Sequence, residues 1–315
     1  MIKYIIKRIL LLIPVMIGVT FVVFYIMSLT KGDPAVTILG DMASPESLAQ
    51  MREELGLNDP FMMRYIRYIG GILQGDWGVS YKNQLDVKQM IMERFPSTAL
   101  LAVSATFLSV IIGVPIGILS ARKQYSTLDN VATVAALIGV SMPVFWLGLL
   151  LVIVFALNLR ILPSQGLGEG VGNAIKSLIL PSITLGAYTL AVILRTTRSS
   201  MLEVIKKDYI DTARAKGIKE SQVTVKHMLS NALIPIITVT GLQFGQLLGG
   251  AMVTETVFAW PGLGRLMLDS IKARDIPVVL GSVMFLCLIF SCVNLVVDIL
   301  YAFVDPRIKS QYQKR

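Results

Sequence analysis

The chain has 315 residues, of which 54% are hydrophobic and only 16% are charged, and its mean hydropathy is +0.69. These values exclude an ordinary soluble domain and indicate a polytopic membrane protein. The formal net charge of +9 fits basic loops that orient the chain and contact anionic lipid, so it does not indicate nucleic-acid binding.

Six apolar runs are long enough to cross a hydrocarbon core of about 30 Å. They are predicted at Ile9–Leu29, Thr98–Leu119, Val131–Leu157, Ser177–Leu194, Leu233–Thr254 and Val278–Phe303. The expected fold is therefore all-α with six transmembrane helices. The first run is about twice as long as the apolar part of a signal peptide and lacks a cleavage site after it, so we expect a retained span.

The expected domain division follows these runs. Residues 1–29 form an N-terminal transmembrane helix, 30–97 a long loop, 98–303 the membrane core and 304–315 a tail. The terminal segments, the second loop and the fourth loop together hold most of the 29 lysines and arginines. Because such residues resist translocation from short loops, both termini are predicted to be cytoplasmic.

The long loop is predicted to contain an amphipathic helix. Apolar side chains recur there at helical spacing. They are Met62, Tyr65, Ile66, Ile69 and Leu73. We expect this helix to lie on the membrane or on neighbouring spans, and to end at the Gly75–Gly78 segment.

Glycines at four-residue spacing predict close helix contacts in two spans. The second span carries Gly113 and Gly117, and the fifth carries Gly241, Gly245 and Gly249. Such a stripe lets another helix approach closely. Packing inside this chain and a seam with a second subunit are both open. In the last span, Cys287 and Cys292 lack redox or zinc spacing and are expected to be small buried hydrophobes.

The segment over about residues 201–231 is polar in an otherwise apolar chain. A helix is predicted from Met201 to Lys216, with Gly217 as its C-terminal cap and a second helix after Ser221. One stripe of the first helix holds Val204 or Ile205, Tyr209, and Thr212 or Ala213. The segment is therefore expected to be a helix-turn-helix outside the lipid.

The composition of this segment favours a protein partner over a lipid surface. Its acidic residues argue against a basic lipid-binding face. They are Glu203, Asp208, Asp211 and Glu220. Small side chains suit a protein groove, and they are Thr212, Ala213, Ala215 and Gly217.

The same segment resembles the EAA loop of binding-protein-dependent ABC importer permeases. Asp211, Thr212 and Ala213 stand for E-A-A, Gly217 matches the glycine and Leu229 the leucine. Ser230 stands in place of the proline of the pattern, and His227 in place of an apolar residue. Five further stretches resemble the dipeptide, oligopeptide and nickel permease family. They are ELGLNDP, GDWGVSY, LPSQG, ETVFAWPGLGRL and YAFVDPRI, in that order.

This resemblance implies a type I importer permease fold in a bacterial or archaeal cytoplasmic membrane. It implies a second homologous permease, two ABC ATPase subunits and an extracytoplasmic substrate-binding protein as partners. The EAA loop would couple this chain to the ATPases through Tyr209, Asp211, Thr212, Ala213, Lys216 and Gly217. The chain would carry no cofactor and no catalytic residue, and ATP and Mg would be bound by the ATPases. The sequence has no GxxxxGK[ST] pattern.

Polar residues inside the spans are candidates for the translocation path. They are Ser141, Gln243, Gln246, Asn294 and Asp298. Gln243 and Gln246 could equally pair with a neighbouring helix, and a helix-to-helix hydrogen bond is the favoured explanation of Asp298. His227 is the only histidine, so it is expected at the surface and no metal site is expected.

The expected function is half of the path of an ATP-driven importer of di- or oligopeptides. A nickel-chelate or glutathione importer of the same family is the alternative. A stand-alone secondary transporter usually shows internal repeats and ionisable groups near the midplane, and neither is evident here. A membrane enzyme is disfavoured because the sequence has no HExxH or GxSxG motif.

Overall fold

The computed structural model describes residues 2–29, 32–40 and 42–304. The predicted tail therefore lies almost wholly outside the described residues. Five helices are long and apolar enough to cross a membrane, and a bent pair of helices makes a sixth candidate span. Within the described ranges the only β contact is an isolated bridge between Val79 and Asp86. The six-span, all-α prediction is confirmed.

The helices follow one another from the N-terminus as α1 to α14. The long-loop helices are α2 (Pro34–Leu39), α3 (Pro45–Glu54) and α4 (Phe61–Leu73). The remaining helices are α1 (Ile2–Leu29), α5 (Val87–Arg122), α6 (Thr127–Ser141), α7 (Val144–Leu151), α8 (Val171–Ile205), α9 (Asp208–Ala215), α10 (Glu220–Gln222), α11 (Ser230–Gly250), α12 (Met252–Val257), α13 (Leu263–Ala273) and α14 (Ile276–Val304). Two π-helical turns, Val152–Asn158 and Val223–Leu229, continue α7 and α10.

The third predicted span is not one helix. The chain breaks between α6 and the helix formed by α7 and its π-helical turn, and the two parts are bent by 109°. Met142 is extended, with ψ 131°, because the ring of Pro143 disfavours a helical backbone in the residue before it. The prediction of a continuous helix over Val131–Leu157 is therefore wrong.

The fifth predicted span also ends earlier than expected. The helix α11 stops at Gly250, and the separate short helix α12 follows. The expected end at Thr254 belongs to α12. Other prolines are retained inside helices, including Pro115 in α5, Pro181 in α8 and Pro235 in α11.

The core is built from three long helices, α5, α8 and α11, with α14 packed on α11. A Cβ added at Gly117 would lie 2.7 Å from Thr197 Cβ and 2.8 Å from the Leu194 carbonyl oxygen of α8. A Cβ at Gly241 would lie 2.4 Å from a methyl carbon of Val297 in α14. The glycine stripes thus meet helices of the same chain. In the same way, Gly113 of α5 contacts α8, and Gly245 of α11 contacts α14. At Gly249, no described atom lies within 4 Å of an added Cβ.

The amphipathic helix of the long loop is α4, which packs on α1. The Tyr65 hydroxyl donates to the Ile17 carbonyl at 2.8 Å, and the Tyr65 ring meets Phe21 and Phe24 edge-on or tilted. Of the five stripe residues, Tyr65 is buried and Ile69 half-buried against this cluster. Met62, Ile66 and Leu73 are exposed, so the side of α4 that carries them does not pack on the neighbouring spans of this chain. The buried side of α4 contacts both α1 and the start of α14, whose Ile276 and Leu280 belong to the same cluster.

Candidate functional site: the connector between α8 and α11

The connector, residues 206–229, joins two membrane helices at one end of the bundle. We call this the connector end, and the end that carries residues 32–86 the long-loop end. The predicted helix over Met201–Lys216 is interrupted, because Lys207 is extended at ψ 138°. The chain turns there, and α9 starts at Asp208, a favourable acidic residue for a helix N-terminus.

One face of α9 is buried against the ends of the membrane helices. Ile210 and Ala213 join a cluster with residues from three of the long helices. These are Ala121 of α5, Met201 and Val204 of α8, and Ala232 and Ile236 of α11. Because close-packed apolar cores transmit displacement, α9 is mechanically joined to all three helices. The stripe predicted through Tyr209 is wrong, since Tyr209 is 44% exposed and Ile210 occupies the buried position.

The other face of α9 is polar and open. Of the six residues proposed for coupling, only Ala213 is buried. The exposed ones are Tyr209, Asp211, Thr212, Lys216 and Gly217. Gly217 has φ +74° and follows the last turn of α9, where a left-handed residue commonly ends a helix. The prediction that Gly217 ends this helix is therefore confirmed.

An ion cluster ties α9 to α10. The Arg214 guanidinium donates to the two Glu220 carboxylate oxygens at 3.3 and 3.1 Å, and it lies 3.4 Å from Asp211. Hydrogen bonding to the Glu220 carboxylate raises the pKa of Arg214. These groups are exposed, so the cluster mainly fixes the turn at 216–219 and contributes little to stability.

Sequence reasoning missed a buried ion pair at the same end. Arg198 of α8 donates through Nε and Nη2 to the two oxygens of Asp129 at 2.6 and 2.8 Å. The Tyr125 N–H at 2.9 Å and the Ser120 hydroxyl also donate to Asp129. This carboxylate therefore locks the turn between α5 and α6 onto α8, beside the connector.

Comparison with known proteins identifies the family. The family of binding-protein-dependent transport system inner membrane components matches residues 113–310, and the family of the N-terminal part of such membrane components matches residues 1–102. The chain belongs to this family. It is thus a permease, a multi-pass protein of the inner membrane, as the resemblance of its connector and its ordered motifs predicted.

Relatives of known function match nearly the whole length of the permease. A dipeptide transport system permease of Alkalihalophilus pseudofirmus is 44% identical over 98% of this chain and 100% of its own. A glutathione transport system permease of Salmonella paratyphi A is 43% identical over 98% and 99%. A solved structure of the MetNI methionine ABC transporter in an inward-facing conformation has a TM-score of 0.54 at 18% identity, covering 69% of this chain and 97% of that one. That likeness supports the importer permease fold.

The five candidate path residues of the permease do not form one site. Gln243 is buried and accepts a bond from the Thr189 hydroxyl at 3.3 Å, so it pairs with a neighbouring helix. Asp298 forms an ion pair with Arg8 at 2.7 Å. Asn294 is half-buried, and its Oδ1 has no hydrogen-bond partner among the described atoms. Ser141 and Gln246 are exposed.

One groove on the same bundle has an apolar wall. This groove of about 610 Å³ runs between α5, α11 and α14, and Thr240, Phe244, Cys292 and Val293 are part of its wall. None of the five path candidates lines it. Cys292 is exposed to this groove, so its predicted burial is wrong; Cys287 is half-buried.

At the long-loop end, the stretch ETVFAWPGLGRL packs on α5. Glu255 is fully buried and accepts from the Thr98 hydroxyl at 2.6 Å and from the Arg265 N–H at 2.8 Å. The Trp260 indole donates to the Ser97 carbonyl at 2.9 Å. These bonds attach α12 and α13 to the start of the apolar part of α5.

Proposed function

We propose that this permease is one membrane subunit of an ATP-driven importer, forming half of the translocation path for di- or oligopeptides. The nearly full-length likeness to a dipeptide permease supports the substrate class. A second homologous permease would complete the path. An extracytoplasmic binding protein would deliver the peptide at the long-loop end.

The connector would face the cytoplasm, together with both termini, and dock with two ABC ATPase subunits. ATP and Mg would be bound by those subunits, and this chain would perform no catalysis. The basic connector and terminal segments support this orientation.

The two-sided character of α9 carries this proposal. Its exposed side offers Tyr209, Asp211, Thr212 and Lys216 to a partner, while Ile210 and Ala213 rest on the ends of α5, α8 and α11. A partner that displaces α9 would therefore move three membrane helices together. Such a bundle with two arrangements, biased from a remote site, is the physical basis of coupling.

The test uses the complete importer in proteoliposomes and measures uptake of a radiolabelled dipeptide beside ATP hydrolysis. Gly217→Trp adds bulk where no described atom of this chain lies within 4 Å of the added Cβ, and the φ of +74° strains the backbone of a residue such as tryptophan. The thermal unfolding midpoint of the variant is therefore measured beside uptake, so that a defect in docking is distinguished from a loss of stability. We expect folded protein, ATP hydrolysis no longer linked to uptake, and uptake reduced at least tenfold. Gly217→Asn is the matched control, because asparagine tolerates a left-handed backbone and is smaller.

A charge reversal tests the same face independently. Asp211→Lys replaces a carboxylate that is 75% exposed, and we expect it to uncouple hydrolysis from uptake. Glu203→Lys, at the end of α8 and 78% exposed, is the control and should retain uptake. Normal uptake by both Gly217→Trp and Asp211→Lys would refute the coupling role of α9.

Glutathione is a second candidate substrate, favoured by the 43% identical glutathione permease. Unlabelled glutathione and unlabelled dipeptide would be compared as competitors of dipeptide uptake. Competition by glutathione at equal or lower concentration would move the assignment to glutathione.

A further inference from the structure

A basic pocket lies at the long-loop end, beside the outer end of α1. Its volume is about 290 Å³, and its wall includes three arginines and one acidic residue, namely Arg52, Arg64, Arg274 and Asp33. Arg52 and Asp33 already pair at 2.6 Å, and Asp33 also caps α2 by accepting from the Ala35 N–H. Within the described residues, no carboxylate lies at ion-pair distance from Arg64 or Arg274. The wall thus carries two positive charges without a carboxylate partner.

Arg274 stands at a position where glycine is the usual residue. It follows the last turn of α13 in the left-handed region, at φ 58° and ψ 33°. A side chain there costs about 1 kcal/mol or more relative to glycine. This left-handed backbone sets the direction in which the Arg274 side chain leaves the end of α13, and its guanidinium lies in the pocket wall.

Gly32 makes room for that guanidinium. A Cβ added at Gly32 would lie 1.7 Å from Arg274 Nη1, and the φ of Gly32 is +142°. Any side chain at this position would therefore displace the Arg274 side chain from the pocket. The positive φ angles of Gly32 and Arg274, on separate segments, together allow the Arg274 guanidinium to lie in the pocket.

Arg64 supplies the second charge from α4. Its guanidinium carbon lies 5.7 Å from the centre of the Phe24 ring, a cation–π contact that orients the side chain. Two fixed guanidinium groups suit an oxyanion with several acceptor oxygens, and phosphate is the group that arginine binds in this way.

The position of the pocket favours a lipid as the source of this phosphate. Met27 and Ser28, at the end of α1, form part of the wall. Next to them, Tyr25 and Leu29 are exposed on the surface of this span, where lipid tails would lie. The α1 helix packs on α14 outside the core of α5, α8 and α11, so the pocket is peripheral to the bundle.

We propose that Arg64 and Arg274 bind a phosphate group at this pocket, with the headgroup of an anionic phospholipid or free phosphate as its source. The site is separate from the connector. Its occupation would fasten α1, α4 and the start of α14 to one another.

The experiment measures the thermal unfolding midpoint of the full-length permease in its assembled importer, in a neutral detergent. Three probes are titrated: dioctanoyl phosphatidylglycerol, dioctanoyl phosphatidylcholine and inorganic phosphate. We expect a saturable rise with the first that exceeds the rise with the second. Binding only to the native state raises the midpoint in this way.

Arg274→Gly separates binding from folding, because glycine relieves the left-handed backbone. We expect this variant to be at least as stable as the parent without probe, with an apparent affinity for phosphatidylglycerol at least tenfold weaker. Arg67→Ala, on the same α4 helix but paired with Asp59, is the matched control and should bind as the parent does.

The three probes decide the source. A rise with phosphatidylglycerol alone, lost in Arg274→Gly, supports the lipid headgroup. A rise with inorganic phosphate, lost in the same variant, supports free phosphate. The proposal is overturned if Arg274→Gly retains the full rise in the midpoint. It is also overturned if neither phosphatidylglycerol nor inorganic phosphate raises the midpoint of the parent protein.

Discussion

At the scale of single residues, Asp129 is 2% exposed and has four hydrogen-bond donors around it. Removing its charge leaves the Arg198 guanidinium partly buried without a counter-charge, which costs several kcal/mol in a protein interior. We therefore expect Asp129→Asn to lower the free energy of unfolding by about 3 kcal/mol. Reversible unfolding of the permease in detergent measures this change.

A second pair serves as the control for this prediction. Asp59 and Arg67 also lie 2.6 Å apart, but Arg67 is 59% exposed, and such surface pairs contribute about 0–1 kcal/mol. Asp59→Asn should therefore cost much less than Asp129→Asn. Equal losses in the two variants would contradict the structural role of the buried pair.

Single residues were also the least predictable from the sequence. Asp129 and Arg198 are 69 positions apart, and no local pattern joins them; Arg198 reads only as one of many basic loop residues. Gly217 was predictable, because a glycine after a helical run indicates a left-handed cap. The pairing of side chains depends on the packing of α5, α6 and α8, which only the folded chain supplies.

At the scale of helices, the close approach of α5 and α8 depends on glycines. At Gly117, even one methyl group would meet the backbone of Leu194 and the Cβ of Thr197 below 3.0 Å. Overpacking of this kind costs about 1–3 kcal/mol. We expect Gly117→Ala to lower the thermal unfolding midpoint of the permease in detergent.

The control is a glycine of the other stripe with free space. No described atom lies within 4 Å of a Cβ at Gly249, so Gly249→Ala should be neutral or gain up to about 1 kcal/mol from helix propensity. A destabilising effect of Gly249→Ala and none of Gly117→Ala would contradict this packing. Gly186 of α8 has a similar role, because a Cβ added there would lie 2.9 Å from the Ala105 carbonyl oxygen of α5. The sequence analysis missed this glycine because α8 has no pair of glycines at four-residue spacing.

Helices as units were well predicted, and their interruptions were not. An apolar run of about 20 residues has only one stable arrangement in lipid, so span positions follow from composition. The break at Pro143 could not be told from the tolerated prolines Pro115, Pro181 and Pro235, since a proline breaks a helix or stays in it according to what its neighbours offer. The buried face of α9 likewise depends on three other helix ends.

At the scale of the whole molecule, a single permease chain exposes surfaces that contact with lipid alone would not stabilise. Gln246 is exposed on α11, and an amide without a hydrogen-bond partner is costly in hydrocarbon. The apolar groove between α5, α11 and α14 lies on the same bundle. The exposed side of α9 is a separate surface at the connector end. Two kinds of partner, at two places, would complete the molecule.

This separation predicts two outcomes for one purification. A tagged permease taken from native membranes in mild detergent should bring a second six-span permease and Walker-containing ATPases, identified by mass spectrometry. Gly217→Trp should recover the ATPases in reduced amount and the second permease in full, because it alters the turn after α9 and not the bundle. Gly217→Asn should keep both. Recovery of the wild-type chain alone in several detergents would leave α9 without a partner, and a stand-alone transporter would then explain the chain better.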